Sequence, residues 1–164
     1  MTLDEFNQAP VAEAGEKLAH CVAIPDWRDA LVAARPFSSL AALLNQGDTL
    51  ARQWDEQSLN QALSAHPRIG EKAQGNSKEA GLSRGEQASV NAQDRELKQA
   101  LQAGNAAYEQ RFGRVFLIRA KGRSGEEMLA ELRRRLTNDP QQEQQEALDQ
   151  LREITLLRLK ETFV

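Results

Sequence analysis

Apolar side chains recur every three to four residues along most of this chain, the period of helices that bury one face, and short polar breaks with helix-starting chemistry interrupt them. Ala147, Leu148, Leu151, Ile154, Thr155 and Leu159 share one stripe, and Val90, Leu97, Leu101 and Tyr108 share another. Thr2 with Glu5, Ser83 with Glu86 and Ser124 with Glu127 have the Ser/Thr-x-x-Glu form of a capping box, while Asp139-Pro140 joins a capping acid to a first-turn proline. The pattern predicts helices over 3–8, 11–22, 26–34, 38–46, 48–53, 56–65, 83–112, 125–136 and 140–162, with the long one breaking near Gly104. Val115-Phe116-Leu117-Ile118 alone reads as extended, and the pattern offers it no partner strand. Glu71 to Gly81 is polar without an apolar period and reads as a mobile loop. The expected fold is all-α, a compact single-domain bundle of about eight to nine helices covering the whole chain.

Composition changes this picture little. A length of 164 residues suits one domain with a real core over 1–164. A net charge of −3 and a pI of about 5.5 give no electrostatic footprint for nucleic acid or an anionic membrane. Arg133-Arg134-Arg135 is a basic run, but Glu126, Glu127 and Glu131 neighbour it, so a solvated face is expected there. Cys21 is the only cysteine, which excludes an internal disulfide, and no Cys/His cluster has zinc-site spacing. No apolar run approaches the roughly 20 residues of a membrane span, and the N-terminus lacks a secretory pattern. A soluble, intracellular protein is the expectation.

Three places carry candidate chemistry, each beside a plainer reading. His66 follows Leu59, Ala62 and Leu63 on a core-facing stripe, and Pro67 ends the helix there, so its ring either reaches a cleft or bonds the last helix carbonyls. Arg158 falls in the middle of the C-terminal apolar stripe. Such a cation needs a carboxylate, several carbonyls or an anionic ligand, unless its stem carries it out to water. Glu86 and Gln87 sit one turn before Val90 at a helix start, placed either to read a polar ligand or, for Glu86, to close a capping box with Ser83. His20 is assigned to structure, since nothing near it in the chain carries chemistry.

The string His66-Pro67-Arg68-Ile69-Gly70, then Ser83-x-x-Glu86-Gln87, Asn105-x-x-Tyr108, Phe112-Gly113 before Phe116-Leu117-Ile118, and Glu153-Ile154-x-x-x-Arg158-Leu159 resembles one family. It is similar to the 2-oxo-4-hydroxy-4-carboxy-5-ureidoimidazoline (OHCU) decarboxylases of urate breakdown, over essentially the whole chain. The resemblance implies an all-α fold, often dimeric, that needs no metal or organic cofactor and turns OHCU into (S)-allantoin and CO2. It implies that His66 is the catalytic acid/base with Glu86 beside it, and that Gln87 and Arg158 hold the substrate. Pro67, Ser83 and the backbone of Phe116, Leu117 and Ile118 would line the rest of the pocket. Whether Glu86 orients His66 or repels the substrate carboxylate stays open. Some members end in a peroxisomal Ser-Lys-Leu-like signal or are fused to the preceding hydrolase. This chain ends Glu161-Thr162-Phe163-Val164, and a stand-alone bacterial, cytoplasmic enzyme, with a homodimer compatible, is expected. The competing class is a non-catalytic helical interaction module using Trp27, Trp54, Leu156 and Leu157; an aldolase-like or ureide-hydrolysing enzyme would use the same histidine and arginine.

Overall fold

A computed structural model describes residues 1–64 and 95–164. Among them are eight helices and no strand: α1 (Leu3–Gln8), α2 (Val11–Leu18), α3 (Pro25–Ala33), α4 (Leu40–Ala51), α5 (Glu56–Leu63), α6 (Arg95–Phe112), α7 (Gly125–Arg135) and α8 (Pro140–Thr162). The fold is all-α. The chain forms two compact units, one of Met1–Ala62 with Arg152–Val164 and one of Leu63–Leu151. Among the described residues no helix is long and apolar enough to cross a membrane.

In the first unit the helix ends follow local chemistry. Thr2 caps α1 by accepting from Glu5 N–H, Ser39 caps α4 through Ala42 N–H, and Asp55 accepts from Ser58 N–H at the start of α5. That bond from Ser58 N–H holds the Asp55 carboxyl below its ordinary value. Helix α2 stops at Leu18, short of the predicted residue 22. A tight turn closes its end, with Cys21 N–H donating to Leu18 C=O, and Ile24 is already extended because Pro25 follows it. The two helices predicted over 38–46 and 48–53 are one, α4, which runs through Gly47. Glycine serves close packing there: a Cβ on Gly47 would lie 3.0 Å from Leu159 Cδ2 and 3.5 Å from Trp27 Cζ2, and the Trp27 indole donates to Gly47 C=O at 3.0 Å. Phe6, Leu18, Leu31, Leu43, Leu59 and Leu159 are fully buried in this unit.

The second unit is built on α6, whose buried residues Leu97, Leu101, Asn105 and Tyr108 recur at helical spacing. The break predicted at Gly104 is absent; α6 is continuous, and the missing side chain makes room for Leu132 of α7. Helix α6 ends at Gly113, which takes φ +73° and donates its N–H to Glu109 C=O, a left-handed cap that glycine adopts without steric cost. Ser124 caps α7 and Asp139 caps α8, as the sequence pattern predicts. Leu97, Leu101, Tyr108, Phe116, Ile118, Ala120, Met128 and Leu132 form the core of the unit.

Candidate active site

His66, Pro67, Ser83, Glu86 and Gln87 lie outside the described residues. The remaining sequence-predicted site residues fall in both units, Arg158 in the first and Phe116, Leu117 and Ile118 in the second.

Arg158 occupies the buried face of α8 between Thr155 and Leu159, and its residue is 1 % exposed. That excludes a stem carrying its charge out to water. Its Nη1 donates a long hydrogen bond of 3.5 Å to the backbone carbonyl of His20, so one of its partners is a main-chain oxygen. One turn later on α8, the Thr162 hydroxyl donates to Arg158 C=O at 2.8 Å and stands 2.8 Å from His20 Nε2. Cys21 Sγ lies 3.8 Å from the same ring nitrogen. His20 is thus buried against a candidate site residue, which corrects the sequence reading that nothing around it carries chemistry. No local signal could have revealed this, because His20 and Arg158 are 138 positions apart.

Phe116 and Ile118 put their side chains in the core of the second unit, and Phe116, Leu117 and Ile118 are each at least 96 % buried. Side chains bond the backbone at Leu117 and at the residue just after the run, Arg119. Arg135 Nη1 donates to Leu117 C=O at 2.7 Å, and Arg119 N–H donates to Gln150 Oε1 at 2.8 Å. The segment whose backbone the resemblance assigns to the pocket is therefore held by α7 at Leu117 and by α8 at the adjoining Arg119.

Arg135 is itself a correction. Of the run expected to be solvated, Arg133 and Arg134 are exposed, and Arg134 bridges Glu131 at 2.7 Å and Glu146 at 2.6 Å. Those bonds hold both carboxyls below their ordinary range. Arg135, however, is 1 % exposed and Glu143 is 0 % exposed. Arg135 Nε lies 3.0 Å from each Glu143 oxygen and Nη2 lies 2.5 Å from Oε2. Asn138 donates to the same carboxylate at 3.2 Å, and the Tyr108 hydroxyl donates to it as well. The guanidinium also lies 4.5 Å from the centre of the Phe116 ring. Burial, reinforced by donation to Glu143, raises the Tyr108 hydroxyl above its ordinary value. The available signal was spacing: Arg135 follows Met128 by seven and Leu132 by three, on their buried face.

Trp27 and Trp54 are 2 % and 8 % exposed, their rings 6.4 Å apart inside the first unit, so they do not form the partner-binding surface of the interaction-module reading. Leu156 and Leu157 are half-buried.

Comparison with known proteins decides the family, because the model of the OHCU decarboxylase family matches residues 7–160. The chain belongs to the OHCU decarboxylase family. The enzyme class expected from the sequence, a carboxy-lyase, is that family's. The OHCU decarboxylase of Haloferax volcanii is 30 % identical over 131 residues, covering 79 % of this chain and 76 % of that protein. A uric acid degradation bifunctional protein of Bacillus sp. (strain TB-90) is 28 % identical over 131 residues; the match spans 79 % of this chain but a quarter (25 %) of that protein. A crystal structure of an OHCU decarboxylase in the presence of (S)-allantoin shares the fold at a TM-score of 0.75 and 26 % identity, covering 90 % of this chain and 97 % of the other.

Proposed function

We propose that the chain is a cofactor-independent carboxy-lyase of urate degradation that converts OHCU to (S)-allantoin and CO2. The observation that carries this reading is the OHCU decarboxylase match over residues 7–160, a span that contains His66-Pro67, Ser83-x-x-Glu86-Gln87 and Arg158, on which the resemblance rests. A guanidinium buried to 1 % exposure, with a backbone carbonyl among its partners, is chemically suited to hold an anionic substrate.

In the reaction the carboxylate carbon leaves as CO2 and its bonding pair enters the adjacent C=N, whose nitrogen gains a proton. The resulting enol loses its hydroxyl proton while a proton is added to the carbon bearing the ureido group. The substrate's own conjugated system thus takes the electron pair. Arg158 holds the anionic substrate, and Gln87 stabilises charge as it moves onto the ring heteroatoms and carbonyls, an effect of about 3–4 kcal/mol for a well-placed donor. His66 moves the proton, a contribution of about 10²- to 10⁴-fold, and delivery to one face gives one enantiomer. Glu86 orients His66, a role that needs less geometric support than raising the energy of the substrate carboxylate by repulsion. Pro67, Ser83 and the backbone of Phe116, Leu117 and Ile118 complete the pocket.

The test is to mix freshly generated OHCU with the purified chain and quantify CO2 and nitrogenous products together. One CO2 per OHCU with allantoin as the only ureide supports the reading. Release of urea or ammonia would make the protein a ureide hydrolase, and an unaccelerated background rate would leave an interaction module.

A further inference from the structure

The bonds linking His20, Thr162 and Arg158 form a closed ring. Thr162 has one hydroxyl proton, and Arg158 C=O, which can only accept, receives it at 2.8 Å. The bond of 2.8 Å between Thr162 Oγ1 and His20 Nε2 therefore runs the other way, with Nε2–H donating to the threonine oxygen. The carbonyl of His20 accepts from Arg158 Nη1, which returns the ring to the residue where it began. The two short bonds anchor His20 to the backbone of α8, and the long one, 3.5 Å, connects that anchored carbonyl to the guanidinium. A bond at that length has little tolerance, so a small drift of residue 20 would break it.

We propose that His20 is a positioning residue for Arg158, acting through Thr162, and that it sets how well the enzyme captures its anionic substrate. This rests on the reading of Arg158 as a substrate-holding group. The Arg158 stem has many rotamers, and a guanidinium that is already aimed loses less freedom when it meets a carboxylate or carbonyl. His20 keeps it aimed without touching substrate. The signature is a change in KM rather than in kcat, because the proton-moving residues are untouched.

The experiment compares steady-state OHCU kinetics of the full chain with Thr162→Val, His20→Leu, His20→Gln and Arg158→Met. Thr162→Val keeps the side-chain shape and removes only the relay hydroxyl, so it decides the matter even if His20→Leu fails to fold. The expected result is a KM about tenfold higher in Thr162→Val and His20→Leu with kcat within about twofold, the loss of roughly one hydrogen bond to a charged group. His20→Gln, whose amide restores an N–H donor near the Nε2 position, should recover most of the loss. Folded Thr162→Val with unchanged KM, while Arg158→Met raises KM, would overturn the positioning role alone. Unchanged KM in Arg158→Met would overturn the substrate-holding role of Arg158 and with it the premise.

Discussion

Replacing Glu143 by leucine breaks a fully buried ion pair of the second unit. The carboxylate is 0 % exposed and accepts from Arg135, Asn138 and Tyr108, while Arg135 is 1 % exposed. Glu143→Leu leaves a buried guanidinium whose named remaining bond is to Leu117 C=O, and removes the acceptor of two other donors. Breaking one side of a buried ion pair typically costs about 3–5 kcal/mol. At about 2–4 °C per kcal/mol for a chain of this size, Tm should fall by roughly 6–20 °C. The double variant Arg135→Met/Glu143→Leu removes both charges and should recover most of that loss, since well-packed apolar replacements of a buried pair are often neutral to within about 1 kcal/mol or better. Urea unfolding followed by circular dichroism, fitted with the m-value left free, gives the coupling energy from the four members of the cycle. A Glu143→Leu cost below about 1 kcal/mol with unchanged m would show that the pair is not desolvated in solution.

Three further outcomes follow from the same structure. Gly104→Ala should destabilise by about 1–2 kcal/mol despite the better helix propensity of alanine, because its Cβ would lie 2.5 Å from the buried Leu132 Cδ2; a higher urea midpoint would refute this. The raised Tyr108 hydroxyl makes stability fall at alkaline pH: below its ordinary value of 10.0 both states are protonated, and above it the unfolded chain loses its proton first. Urea midpoints from pH 9 to 11 should therefore decline more steeply in the parent than in Tyr108→Phe, and parallel curves would contradict the assignment. His66→Asn should keep the circular dichroism spectrum and lose about 10²- to 10⁴-fold in turnover, whereas near-normal rates would remove His66 from the chemistry.

Much of the fold was legible because helix periodicity and capping are local. The stripe Ala147, Leu148, Leu151, Ile154, Thr155 and Leu159 is buried throughout, and the caps at Thr2, Ser124 and Asp139 form. The burial of Arg158 followed from the same stripe. Glycine misled the reading at residues 47 and 104, since a missing Cβ signals a helix end and a close helix approach equally well. Arg135 was misjudged because it closes a run with the exposed Arg133 and Arg134 near three glutamates, while Glu143, its partner, belongs to the next helix. His20 escaped because its contact with Arg158 joins opposite ends of the chain. The family resemblance, by contrast, was carried by motif order, which needs no geometry, and the family match over residues 7–160 bears it out.

The proposed stereospecific decarboxylation has a direct test. Fresh OHCU incubated with the purified chain in the presence of a metal chelator, and followed by circular dichroism, should develop the signal of (S)-allantoin at a rate proportional to protein concentration. Racemic allantoin forming no faster than in buffer alone would contradict it.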